Sequence, residues 1–206
     1  MITSYSELNE EHIDALREMG NIGAGNAATS LGVLLNEDVI IDIPRVRIED
    51  YTSVMNLLGG PEEKCVAVLI RFFGDAEGVI LFILTLEDAK RIMDIFVADD
   101  DSDPSGLSDM KISMIKELGN ILGSSYVGSM SKLTDMRIDL SIPHIAIDMT
   151  GAILAAPIIE YGAHDSKVLF IEERFSTKDS NMNSHVILFT GMQTLREIMD
   201  RLGFEL

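Results

Sequence analysis

Tryptophan is absent from this 206-residue chain, cysteine occurs once, and 16 Lys and Arg face 34 Asp and Glu. Each shortage excludes something. The lone Cys65 can form neither an internal disulfide nor a cysteine-based zinc site, and its setting in Cys65-Val-Ala-Val-Leu-Ile reads as a buried small side chain. A formal charge of -18 repels phosphates, so nucleic acid and anionic membrane surfaces are not expected partners, whereas proteins with basic patches are. No apolar run approaches the ~20 residues that a membrane span requires; the longest candidate, Gly78 to Leu84, is strand-sized, so no membrane insertion is expected. The start, Met1-Ile-Thr-Ser-Tyr-Ser, has no basic residue leading into an apolar stretch, which predicts no secretory signal and a cytoplasmic location. His12, His144, His164 and His185 are scattered without ligand spacing, so no metal site is expected. Asp99, Asp101 and Asp103 alternate as in a calcium loop, but the twelfth position is Met110, where a bidentate Glu is needed.

What remains is a chain with 47% hydrophobic residues, long enough to bury roughly 70% of its unfolded surface without staples. It also repeats itself. Leu8-Asn9-Glu-Glu-His-Ile13 reads as a helix start: Asn9 can cap, acids follow, and Leu8 can close on Ile13 as a hydrophobic staple. Leu107-Ser108-Asp-Met-Lys-Ile112 restates it 99 residues later. The same offset matches Glu18 with Glu117, Gly20 with Gly119, Asn21 with Asn120, Ile22 with Ile121, Pro44 with Pro143 and Ile48 with Ile147. We therefore read residues 1–206 as one domain of two related halves, about 8–98 and 107–206, joined by the acidic linker 99–106.

The first half continues with an extended Val46-Arg-Ile48 and a short apolar segment at Val54 to Leu58. Strand-like runs from Cys65 to Phe73 and Val79 to Thr85 flank the hairpin loop Gly74-Asp-Ala-Glu-Gly78, and Leu86 to Val97 has helical spacing. The second half follows the same order through Ile145-Ala-Ile147, Met149 to Tyr161, Val168 to Phe175, Val186 to Phe189, and a helix from Met192 to Leu202. The expected fold class is mixed α/β (α+β): duplicated α-β-β-α halves, related by a pseudo-two-fold, forming a sheet with two long exposed helices on one face.

On the first long helix, Asp14, Glu18 and Asn21 share one stripe, with Gly25 and Ala28 next along it; Leu16, Met19, Gly23, Ala27 and Leu34 fall on the opposite, core side. Ser113, Glu117, Asn120 and Ser124 take the same places on the second helix. A phosphate loop needs a strand before the glycines, and here a capped helical pattern precedes Gly20 with no lysine in Walker spacing. Gly20, Gly23 and Gly25 each weaken a helix by ~1 kcal/mol, so close tertiary packing is expected to offset them. A single Glu-x-x-Asn is ordinarily wet surface. Repeated at one offset, with a proline 23 residues after each amide, it is much harder to read as that alone, since asparagine is a mediocre helix former.

These residues resemble the CheC family of chemotaxis phosphatases, whose pattern is Asp or Ser, three residues, Glu, two residues, Asn, and Pro 23 positions on. Asp14, Glu18, Asn21 and Pro44 fill the first copy; Ser113, Glu117, Asn120 and Pro143 fill the second. Two motifs in a chain of this length are most similar to the CheC branch, since CheX carries one motif and FliY an additional C-terminal domain. The resemblance implies hydrolysis of the aspartyl phosphate on the response regulator CheY. Asn21 and Asn120 would orient the attacking water, and Glu18 and Glu117 would dock a lysine of the regulator. Asp14 and Ser113 would support the rim, and Pro44 and Pro143 would be architectural. It implies no cofactor of the chain's own, with magnesium belonging to phosphorylated CheY. It also raises an alternative, a binding module for the receptor deamidase CheD through the region of Asp148, or a flagellar-switch component with little catalysis.

Overall fold

The computed structural model describes residues 4–96, 109–161, 166–177 and 181–204. The acidic linker with its calcium-like spacing, the second helix cap at Leu107-Ser108, and His164 all lie outside the described residues.

A 3₁₀ turn at Tyr5–Glu7 leads into α1 (Glu10–Leu35), and β1 (Ile40–Ile41), β2 (Arg45–Asp50), α2 (Tyr51–Leu57), β3 (Lys64–Gly74), β4 (Gly78–Thr85) and α3 (Leu86–Phe96) follow. The second half runs α4 (Asp109–Thr134), β5 (Ile138–Leu140), β6 (His144–Met149), α5 (Thr150–Tyr161), β7 (Lys167–Ser176), β8 (Asn181–Thr190) and α6 (Met192–Arg201). The order of elements is the same in both halves. Each is longer than the α-β-β-α outline by a short strand before the proline and a short strand and helix after it.

Asn9 does cap α1: its Oδ1 accepts from the His12 backbone N–H at 3.0 Å, and His12 Nδ1 accepts from the Asn9 N–H at 3.0 Å. Histidine thus fills the place a Glu or Gln takes in the usual reciprocal cap. Both long helices end in a left-handed residue at matching positions, Asn36 at φ 53° and Asp135 at φ 55°. These residue types tolerate that conformation better than most.

All eight strands form one sheet, with β7-β8-β4-β3 at its centre. The two hairpins meet through antiparallel β4 and β8, from Gly78 opposite Thr190 to Leu84 opposite Ser184. The short strands cross over: β1 and β2 pair with β7 of the other half, and β5 and β6 pair with β3. Neither half closes its own sheet. Arg45 lies opposite Glu172 where His144 lies opposite Leu69, so the offset of 99 that holds into β6 becomes 103 in the hairpins. The difference falls where α5 is longer than α2.

Alternation along the strands feeds two cores. Val66, Val68, Ile70, Leu169 and Ile171 face α1, α3, α4 and α6; Cys65, Ala67, Val168 and Phe170 face α2 and α5. Cys65 is buried as expected, with Sγ 3.6 Å from Thr150 Oγ1, and burial raises its thiol pKa. One residue breaks the pattern. Glu173 on β7 is 3% exposed, its Oε1 has no hydrogen-bond partner, and desolvation pushes its carboxyl up to about 8. Ile70 holds the matching place in the other half and is buried as an ordinary aliphatic.

Candidate active site

The long helices lie side by side and run antiparallel, since Met19 meets Ser129 while Gly23, further along α1, meets Tyr126, earlier on α4. Ser129 Oγ lies 3.0 Å from the Met19 carbonyl, and a Cβ at Gly23 would stand 3.1 Å from Tyr126 Cα. Glycine at 23 therefore eases the approach of the second backbone, since a Cβ there would press α4 outward by a few tenths of an ångström. Leu16, Met19, Gly23 and Ala27 are buried and Leu34 is partly buried, as the stripe analysis expects.

The opposite stripe faces outward. Asp14 and Glu18 are exposed and Asn21 is half-buried; on α4, Ser113, Glu117 and Asn120 are all exposed. Among the described residues, the side chains of Glu18, Asn21, Glu117 and Asn120 have no hydrogen-bond or ion-pair partner, which leaves two carboxylates and two amides available to another molecule. In the antiparallel pair the two amides are offset by about eight residues, or about 12 Å along the ridge.

The neighbouring motif residues behave differently. Asp14 is ion-paired with Arg17, one turn on, and makes no hydrogen bond to Glu18 or Asn21 of its stripe. Pro44 is buried against α1, its Cγ 3.5 Å from where a Cβ on Gly20 would be, so it buttresses the turn that carries Asn21. Pro143 is half-buried immediately before β6. Asp148 is exposed near the end of β6, its Oδ1 accepting from the Met149 N–H at 2.7 Å, and α5, which starts two residues later, packs on the other sheet face. It stands apart from the ridge. Ser113, exposed on its stripe, has no side-chain hydrogen bond among the described residues.

The glycines split into two kinds. Gly23 is packed, whereas a Cβ on Gly25 would meet nothing within 4 Å, so tertiary contact does not account for it. Gly25 instead keeps the surface beyond Asn21 low.

The surroundings of Asn120 on its other side are not legible in the helix stripes. A shallow cleft of about 410 Å³ between the helices joins Asn120, Ser124 and Gly128 of α4 to Asn26 and Ser30 of α1. Asn26 and Ser30 lie one and two turns past the motif on the other helix, and only the antiparallel crossing brings them there. Among the described residues no group of three His, Cys, Asp or Glu gathers closely enough to hold a metal ion.

This architecture, an interlocked sheet under an antiparallel helix pair, is that of Thermotoga maritima FliY. The crystal structure of that protein superposes with a TM-score of 0.77 over 96% of this chain and 98% of that one at 21% identity. The CheC-like family model matches residues 11–46 and 110–147, the two segments that carry the long-helix stripes and the prolines. The chain is 25% identical to the CheY-P phosphatase CheC of Bacillus subtilis over 98% of its own length and 99% of that protein's. It is 30% identical to the flagellar motor switch phosphatase FliY of the same organism over 71% of this chain and 38% of that one. Both motif-bearing segments are thus similar to the CheC-like family.

Proposed function

We propose that the chain hydrolyses the aspartyl phosphate of a CheY-type response regulator. The observation that carries this reading is the duplicated Glu and Asn pair, unpartnered among the described residues, on one outward ridge; a full-length relative named a CheY-P phosphatase supplies the substrate. Acyl-phosphate hydrolysis asks little covalent help of a protein, because positioning and charge neutralisation dominate phosphoryl transfer. Glu18 or Glu117 pairs with a lysine beside the regulator's phosphorylated aspartate and sets the pose. Asn21 or Asn120, one turn on, holds a water in line with phosphorus. The water oxygen bonds to phosphorus as the bond from phosphorus to the aspartyl oxygen breaks. The carboxylate leaves with that electron pair, and the water proton passes to the departing phosphate or to solvent. Magnesium belongs to the phosphorylated partner.

The test is the decay of phosphorylated CheY with and without the chain. Acceleration by the native chain, and its loss in Asn21→Ala/Asn120→Ala with an unchanged melting temperature, is the expected result. Unaltered acceleration in that variant removes the mechanism.

A second reading, recognition of CheD near Asp148, is supported by the outer edge of β6. Ile147 is 41% and Met149 44% exposed there, on a strand that, among the described residues, pairs with β3 alone. Asp148→Lys should fold normally and lose CheD in a pull-down while retaining CheY turnover; equal retention of CheD sinks this reading.

A further inference from the structure

The two ridges end differently. On α1 the stripe of Asn21 continues through Ala28 and Gly32 into an open groove of about 1170 Å³, walled by the turn after the helix with Glu37, Asp38 and Ile40 and by Thr177 beyond β7. On α4 the matching stripe is closed: Val127, the counterpart of Ala28, is 3% exposed, and Met136, the counterpart of Glu37, is 1% exposed. Ser131, where Gly32 stands in α1, spans the gap with a 2.6 Å hydrogen bond to the Met136 carbonyl. The sheet closes there too. Asp75 donates its N–H to the Arg137 carbonyl and accepts from the Arg137 N–H, both at 2.9 Å. This clamp depends on Gly74, at φ +123°, where a Cβ would lie 2.4 Å from the Arg137 oxygen. Thr177 occupies the matching place beside the groove, and its Oγ1 is buried without a hydrogen-bond partner. Substitution has thus opened in one half what is sealed in the other.

Among the described residues, the charged side chains lining the groove are those of Glu37 and Asp38, and the counterparts of Asp38 and Val33 in the closed half are Arg137 and Lys132. Ile40 is 61% exposed at the rim and Val33 81%. We propose that this groove is a second docking subsite for the regulator bound at Asn21, receiving a segment that carries an aliphatic side chain beside a lysine or arginine. It follows that the α1 ridge binds the regulator more tightly than the α4 ridge. The inference rests on the proposed function and concerns affinity rather than chemistry: a surface contact remote from phosphorus that is equal in ground and transition states changes KM and leaves kcat.

Two backgrounds separate the ridges. Glu117→Lys/Asn120→Ala retains only the α1 ridge, and Glu18→Lys/Asn21→Ala retains only the α4 ridge. In the first, Asp38→Lys/Ile40→Ser should raise KM for phosphorylated CheY about tenfold with kcat within twofold, and weaken calorimetric binding of beryllofluoride-loaded CheY equally. In the second, the same pair should leave both quantities within twofold. Unchanged KM and Kd in the first background, or an equal rise in both, overturns the groove. An α1-only background that neither binds nor hydrolyses also overturns it, while activity of the α4-only background keeps the proposed function standing. Inactivity of both backgrounds removes the function and the groove together.

Discussion

The α1 half and the α4 half carry one plan in two packings, and the difference separates what the ridge needs from what the core needs. Both present Glu and Asn outward. Beneath them α4 is pressed into the sheet: a Cβ on Gly119 would lie 2.4 Å from Val68 Cγ1 and one on Gly123 2.5 Å from Ile70 Cδ1. Under α1 the contact at Gly20, the counterpart of Gly119, is an ordinary 3.5 Å to Pro44, and the strand position matching Ile70 is the buried acid Glu173. Matching residues thus share an outward face and differ in what lies under it.

That contrast can be broken in order of effect. Replacing both amides, Asn21→Ala/Asn120→Ala, should cost 10² to 10⁴ in the rate of CheY dephosphorylation, the range of a positioned catalytic group; the single variants then apportion the rate between ridges. Gly119→Ala should destabilise by about 1–3 kcal/mol through overpacking against Val68, whereas Gly20→Ala should be neutral or gain up to ~1 kcal/mol of helix propensity; chemical denaturation compares them. Equal effects would mean that α1 and α4 are seated alike.

A third contrast is in pH. The Glu173 carboxyl sits at about 8 in the folded chain against an ordinary 4.5, so between those values the folded state holds a proton that the unfolded state has released. Its contribution is fully present below about pH 4.5, is lost as pH rises to about 8, and is level beyond. Glu173→Gln, and more so Glu173→Ile after the pattern of Ile70, should therefore gain stability over the native chain as pH climbs through that window. Melting temperatures that stay parallel across pH would place the native carboxyl in water. The smallest effect is at Gly25, where Ala meets no neighbour and should add up to ~1 kcal/mol of stability; a rise in KM at the α1 ridge would show that the partner comes close there.

Much of this was legible beforehand for a physical reason. Helix caps, periodicity and a proline at fixed distance are local signals, and a repeat doubles each of them, so Asn9, the outward stripes and the hairpin at Gly74 to Gly78 could be read directly. Pairing across the halves could not. That β2 lies on β7 and β6 on β3 depends on register between segments more than a hundred or about eighty residues apart, which no local pattern encodes. Asn26 and Ser30 beside Asn120 were hidden for the same reason, and Glu173 was hidden because an acid within a charged Glu-Glu-Arg run of a strand ordinarily points to solvent.

The chain's own residues thus determined which side chains share a stripe, because 3.6 residues per turn is a property of the backbone wherever the helix goes. Tertiary structure decided the antiparallel seating of the two stripes, which glycines are packed and which are open, and that one ridge runs into an acidic groove while its counterpart is sealed. Those outcomes depend on which distant surfaces come into contact, and close packing turns a change as small as Gly32 against Ser131, or Glu37 against Met136, into an open or a closed surface.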